Sequence, residues 1–161
     1  MKIEFCKPTE EDARYVIEHL SEDEKLEIFC LVGDNALSDL LLGMKYSQDV
    51  GCCKFDGKPV AIYGAHKKAP IARGALAWAY FTNDIKAHRV ISGRYMKKAV
   101  EAILRHHSYI YNYTPVACKP IIRWLKSLGA KFYGPIKIGA FDAPHWYFEI
   151  RRDEKWEQQQ Q

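Results

Sequence analysis

The stretch KAHRVISGRYMKKAVEAIL, Lys86 to Leu104, holds the residues of this chain best suited to bind an anion. Residues 86–98 carry Lys86, Arg89, Arg94, Lys97 and Lys98 and no acid, and Ser92 and Gly93 stand where a loop reads as passing into a helix. A helix N-terminus presents unpaired N–H groups and the positive end of the helix dipole, so a phosphate is favoured there. Close approach of backbone to phosphate uses glycine, and this stretch has Gly93 alone. The plainer reading is a solvated basic face. A nucleotide-containing ligand, nucleic acid and an acidic partner would all suit the charge, and its sign does not choose between them.

The rest of the chain bounds the answer. Residues 10–27 contain eight acids (Glu10, Glu11, Asp12, Glu18, Glu22, Asp23, Glu24, Glu27), so the net charge of +4 hides an acidic beginning and a basic middle. With 161 residues, 48% hydrophobic and 27% charged, the composition is that of a core-forming domain and excludes a disordered chain. The five cysteines are odd in number and lack C-x-x-C spacing, which argues against a disulfide framework or a zinc site and for reduced thiols in a cytosol. On a strand, Cys52 and Cys53 would point to opposite faces, so at most one is expected to be buried. No apolar run reaches the roughly 18 residues of a membrane span, and the opening MKIEFCKPTEED lacks the apolar stretch of a signal peptide, so a cytoplasmic location is expected.

The elements that would position the basic stretch follow from periodicity and punctuation. Lys2 to Cys6 alternates and ends before a proline, a first strand. Thr9 with Asp12, and Ser21 with Glu24, have the spacing of helix-capping pairs, so helices are expected from about Glu10 to Leu20 and, through Leu26, Ile28, Phe29 and Leu31, a second short one up to a stop at Gly33. ALSDLLLGMKYS reads as a third helix. Around Asp56-Gly57, Cys52–Phe55 and Lys58–Ala65 should form a hairpin, followed by a strand from Ala75 to Phe81. Val90, Gly93, Val100, Ile103 and Leu104 recur at helical spacing. YIYNYTPVA reads as a strand, KPIIRWLKSLGA as a helix closed by Gly129, and HWYFEIRR as the last strand. The order predicts an α+β fold with a mixed, mostly antiparallel sheet flanked by helices, in which residues 75–114 are the only candidate for a parallel crossover. Residues 1–152 read as one domain and the polar residues 153–161 as a frayed tail. His66, His106 and His107 lack metal-ligand spacing and read as surface residues, with no metal site expected. Trp78, Trp124 and Trp146 read as core, and Trp156 falls in the tail.

The order and the residues together resemble the GNAT acetyltransferase superfamily. CKPTEEDARYVIEHL is similar to its first strand and helix. GALAWAYFTND with KAHRVISGRYMKKAVEAIL is similar to its fourth strand and the helix carrying the acyl-CoA pyrophosphate loop. PIIRWLKSLGAKF is similar to the segment after its fifth strand. RVISGRYMKK, IIRWLKSLGA and KPTEED also resemble a narrower group, the GNAT-like internal virion or assembly protein of T-seven-like short-tailed phages. That resemblance implies a host-cytoplasmic or virion location and a phage or host protein as partner.

The broader resemblance implies acetyl-CoA as cofactor, with Phe81, Thr82, Asn83, Arg89, Val90, Ser92, Gly93 and Arg94 around it. It implies acetyl transfer to a protein lysine or small amine, for which Asp84, Tyr113 and Cys118 are the candidate proton-transfer groups, with Tyr111 beside them. The plain alternatives are a turn residue, strand aromatics and a small loop residue. The family's loop positions fall on His88, Arg89, Val90, Ile91, Ser92 and Gly93, so only the last keeps its glycine. The asparagine expected on leaving the fifth strand falls on Cys118, and the tyrosine that protonates the leaving thiolate falls on Leu125. Two function classes therefore stand side by side, an acyl-CoA-dependent N-acetyltransferase and a non-catalytic assembly or host-interaction module keeping the fold. Nucleic-acid binding through the basic helix is a weaker third.

Overall fold

The computed structural model describes residues 1–152; the expected tail, with Trp156, lies outside the described residues. Strand β1 (Ile3–Cys6) leads into α1 (Glu10–Glu18), where Thr9 and Asp12 cap each other reciprocally through side chain and backbone. Helices α2 (Glu22–Val32) and α3 (Ala36–Tyr46) follow, α2 ending at Gly33, whose φ of 64° suits a glycine. The hairpin of β2 (Asp49–Phe55) and β3 (Lys58–His66) turns at Asp56-Gly57, both at positive φ, as the Asp-Gly signal requires. Then come β4 (Gly74–Phe81), the single turn α4 (Asp84–Ala87), α5 (Arg89–Leu104), β5 (Tyr109–Pro115), α6 (Lys119–Ser127), β6 (Lys131–Ile138) and β7 (Ala143–Arg151).

The seven strands form one sheet in the order β1-β2-β3-β4-β5-β7-β6, antiparallel throughout except for β4 and β5, the crossover expected from the sequence. On one face, Ala13, Val16 and Leu20 of the α1 segment, Ile28 and Leu40 pack on Cys52, Ile62 and Tyr80. On the other, Ile103, Leu104 and Leu125 of α5 and α6 pack on Ala65, Ala75, Ile110, Phe148 and Ile150. Burying an aliphatic side chain such as Leu40 contributes about 2 kcal/mol, so these two layers hold the helices against the sheet.

Several expectations are corrected. Cys52 and Cys53 do point to opposite faces, yet both are fully buried, because β2 lies inside the sheet with Val16 and Ile28 over one face and Met96 over the other, where Val60 of β3 packs beside Cys53. Strand β6 was not expected: Gly134-Pro135 interrupts its pattern, and the strand absorbs the break by slipping register between Tyr133 and Ile136. Val90, read as part of a core stripe, is 82% exposed; the buried side of α5 is Ser92, Met96, Ala99, Ile103 and Leu104. His107 is buried, not a surface residue. His107 Nε2 and His106 Nδ1 bond the two carboxylate oxygens of Asp49 at 2.8 and 2.9 Å.

Candidate functional site

The parallel pairing of β4 with β5 covers only Gly74–Leu76 against Tyr109–Tyr111, although the strands run on to Phe81 and Pro115. Past the last rung, Asn112 Nδ2 donates to the Ala77 carbonyl at 2.6 Å, and then the strands part. The Thr82 N–H donates to the Val60 carbonyl, so in the β3–β4 ladder the even residues of β4 turn their backbone groups to β3 and the odd ones turn theirs towards β5. Ala79 and Phe81 therefore present main-chain groups to a wedge. The Phe81 carbonyl is taken by the Ser21 N–H. This wedge can accept an extended, amide-bearing ligand as an added strand.

On the α5 and α6 side, a cleft of about 440 Å³ opens beside the wedge, lined by Arg89, Ser92 and Gly93 of α5, Arg123 of α6, and Lys86. Lys86 Nζ pairs with Asp23 at 2.7 Å across its rim. The Ser92 hydroxyl is 2% exposed with its oxygen buried and unpartnered at this cleft. Helix α5 begins at Arg89, so the Ser92 N–H is spent on the His88 carbonyl, and the free N–H groups of the first turn belong to Arg89, Val90 and Ile91. Arg89 and Ile91, standing where the resembled loop has glycines, are thus accommodated by starting the helix early.

A narrower cavity of about 160 Å³ passes through the wedge from one face of the sheet to the other. It is lined by Ile28, Leu31, Trp78, Tyr80 and Tyr113 with Glu24 and Glu27 on the α2 side, and by Met96, Ile103, Trp124 and Leu128 on the α5–α6 side. The cavities meet at Glu24, Phe81 and Trp124, the two rings edge to face with centroids 5.5 Å apart. Burial, with Glu27 and Asp23 nearby, holds the Glu24 carboxyl well above the usual carboxylate range, and only the nearby Phe81 N–H opposes this. Burial likewise pushes Glu27 up to about 8, with the Thr114 hydroxyl opposing. Tyr80 donates to Asp39 at the same wall.

Strand order, the parting of β4 from β5 and the helices on each face can be set against solved structures. The chain is similar to a GNAT-family acetyltransferase from Streptococcus pneumoniae, with a TM-score of 0.62 at 8% identity over 94% of this chain and 100% of that one. The fold is that of the GNAT acetyltransferases. The same GNAT fold relates it to a spermidine N-acetyltransferase from Vibrio cholerae in complex with CoA and spermine, with a TM-score of 0.70 at 10% identity over 92% and 95% of the two chains. A ribosomal-protein-alanine N-acetyltransferase from Brucella melitensis gives 0.69 at 12% identity over 92% and 99%. No protein-family model matches the sequence, and no curated protein aligns with it.

Within this GNAT fold the expected residues divide. Phe81, Thr82, Arg89, Ser92 and Gly93 line the α5 cleft and Tyr113 the narrower cavity. Arg94 and Val90 are exposed and line neither cavity, nor does Asn83. The N–H groups of Thr82 and Asn83 are spent on Val60 and His19 and that of Phe81 on the Glu24 carboxyl, which leaves Ala79 as the donor facing the wedge. Asp84 is exposed on α4 outside both cavities. Cys118 is buried outside both, its thiol near the Asp23 carbonyl and pushed up to about 12 by burial and the neighbouring acids, too high for proton transfer near neutrality. Glu24, Glu27 and Arg123 were missed. The signal was present for the first two: they sit three apart on the same helix face as Ile28 and Leu31, carboxylates on an apolar stripe. Among the described residues no helix is long and apolar enough to cross a membrane, and no group of His, Cys, Asp or Glu could hold a metal.

Proposed function

We propose that the protein is an acyl-CoA-dependent N-acetyltransferase that acts on a protein lysine or a small amine. The observation that carries this reading is the wedge itself: unpaired main chain of β4 lies between a cationic cleft on one side and buried carboxylates on the other. Acetyl-CoA, when bound, supplies the thioester whose carbonyl carbon the amine attacks. The orphaned Ser92 hydroxyl and the open wedge fit that group. Arg89, Arg123, Ser92 and the first-turn N–H groups of α5 hold its phosphates, with Lys86 drawn from Asp23 to join them. The outward main chain of Ala79 orients the amide-bearing arm. Glu27 takes the proton of the incoming ammonium, and a base near 8 is well matched to that task. As the C–N bond formed and the C–S bond broke, Tyr113 would give the departing sulfur its proton and be re-protonated by the one the nitrogen sheds on becoming the amide.

One observation favours the second reading, a non-catalytic module that keeps the fold. Helix α5 starts at Arg89, so the amides at Ser92 and Gly93 are spent in the helix instead of cradling phosphate. A phage assembly role for such a module, in host cytoplasm or virion, rests on the resemblance of RVISGRYMKK, IIRWLKSLGA and KPTEED alone. Release of free CoA thiol from acetyl-CoA in the presence of an alkylamine separates the two. Amine-dependent release that falls about 100-fold or more in Glu27→Gln, the range of general-base loss, supports the enzyme; no release above the blank supports the module.

A further inference from the structure

Charge is segregated across the sheet. The acids of residues 10–27 ride on α1 and α2, over one face, whereas residues 85–141, which include both helices of the other, carry eleven Lys and Arg and one acid, the half-buried Glu101. Six of these cations, Arg94, Lys97, Lys98, Arg105, Lys119 and Lys126, are exposed and lie outside both cavities. Among the described residues none of the six is in an ion pair, although cations elsewhere find acids: Arg14 takes Glu10, Lys25 takes Glu22 and Lys54 takes Asp12. The two helices also begin unlike the others. Helices α1 and α2 each start with three acids behind a side-chain cap, but α5 starts at Arg89 and α6 at Lys119 with neither. A cation there opposes the positive end of the helix dipole, so both starts favour an anion from outside.

The form of the patch selects among anions. Arg94, Lys98 and Arg105 fall on one outward stripe of α5, opposite the buried Ser92, Met96, Ala99 and Ile103, and the stripe spans roughly 16 Å. Over that length a nucleic-acid duplex carries about nine phosphates. No large apolar side chain is exposed between Arg94 and Lys126, which a protein interface or a membrane contact would need at its centre. The rings of this face are already engaged: Lys98 lies over Tyr95, Lys126 lies over Phe132, and Trp124 meets Phe81 edge to face. Single strands bind by stacking their bases on free rings, so this face suits a backbone whose bases are paired.

We propose that the α5–α6 face binds the phosphate backbone of duplex nucleic acid, without reading its sequence, through Arg94, Lys97, Lys98, Arg105, Lys119 and Lys126. The N-acetyltransferase reading is not needed for this, because the cations of the cleft, Lys86, Arg89 and Arg123, are not among the six. Phosphate contacts of this kind position a duplex and add affinity that salt removes.

Fluorescence anisotropy of a labelled DNA duplex of about 20 base pairs, longer than the stripe, titrated with the full chain tests this. Affinity should fall with salt at a log–log slope near −4, about 250-fold between 50 and 200 mM, as expected for four or five neutralised phosphates. The double variant Lys97→Gln, Lys98→Gln should bind about tenfold or more weakly and flatten the slope by about 2, and Lys126→Gln should flatten it by about 1. Lys45→Gln, an exposed lysine on α3 across the sheet, should change neither. A duplex RNA of equal length shows which nucleic acid is held more tightly, and either order upholds the proposal. No binding at 50 mM salt, a slope unchanged in the lysine variants, or tighter binding to polyglutamate, to single-stranded DNA of the same length or to anionic phosphatidylserine vesicles overturns it. Acetyl-CoA titrated into the same lysine variants reads the cleft separately, so the loss of one reading is told apart from the loss of the other.

Discussion

Asn112 gives its side-chain amide to the Ala77 carbonyl at 2.6 Å at the point where β4 and β5 separate, and its Oδ1 accepts the Tyr113 N–H at 2.7 Å. One side chain thereby closes the last rung of the parallel pair and sets where the wedge begins. Asn112→Ala leaves the Ala77 carbonyl unpaired in a partly buried place, so a loss of about 1–2 kcal/mol is expected in urea denaturation. Weaker acetyl-CoA binding should accompany it, because the wedge would no longer start at a fixed point.

Glu27 makes stability depend on pH in an unusual sense. Its folded carboxyl titrates near 8 against about 4.3 unfolded, so between these values the folded chain binds more protons than the unfolded one. Stability from this group is therefore full at low pH and declines as pH rises through 8. Glu27→Gln keeps the shape and removes the titration. Its stability relative to the parent should rise by as much as about 4 kcal/mol from pH 5 to pH 9, at about 1.4 kcal/mol per pH unit below 8, read from melting curves at each pH.

Asp49 works in the opposite direction. Burial acts to raise its carboxyl, but the bonds from His107 and His106 outweigh this and leave it below the ordinary range. Its contribution is present above the unfolded value and fades as pH falls through the folded one. Asp49→Asn should cost about 1.5–3 kcal/mol at pH 6, as expected for hydrogen bonds to a charge. The difference from the parent should shrink below pH 3 in the same melting series.

Gly93 is the residue on which the anion-site reading of the sequence turned, and the structure gives it a different part. It lies inside α5, and a Cβ there would meet nothing within 4 Å. Gly93→Ala should therefore raise stability by about 0.5–1 kcal/mol, the ordinary gain for a helix interior. A loss on this substitution would return Gly93 to the role of a cradle.

Much of the architecture was legible because local chemistry and tertiary structure agree. Thr9 with Asp12 forms the full capping box, Asp56-Gly57 makes the hairpin, and Gly129 follows α6 with a φ of 86°. Where they part, a long-range partner decides. Ser21 caps Glu24 as its spacing implies, but the Ser21 N–H goes to Phe81, so the second half of the box is not made and the Glu24 carboxylate is left to turn inward. The start of α5 moves to Arg89 because residues without glycine's freedom settle into the helix. The wedge depends on where two strands cease to pair, and no periodicity in either strand records that.

The cysteines give a chemical check on the packing. Cys52 and Cys53 are sealed on both faces of the sheet, and Cys53 is pushed up to about 11 by burial and the nearby Cys6. Cys6 is exposed. Alkylation of the native protein with iodoacetamide should modify Cys6 first, with Cys52, Cys53 and Cys118 reacting only on unfolding, as peptide mass mapping over time would register.

The central claim is that the wedge and the α5 cleft together bind acyl-CoA through side chains where backbone glycines are lacking. Calorimetric titration of acetyl-CoA into the full chain, the Arg89→Glu variant and the Arg123→Glu variant tests it most directly. Saturable binding to the parent is expected, weakened about tenfold or more by each reversal of charge at the phosphates. No detectable heat at millimolar acetyl-CoA, or equal affinity in all three proteins, would contradict it.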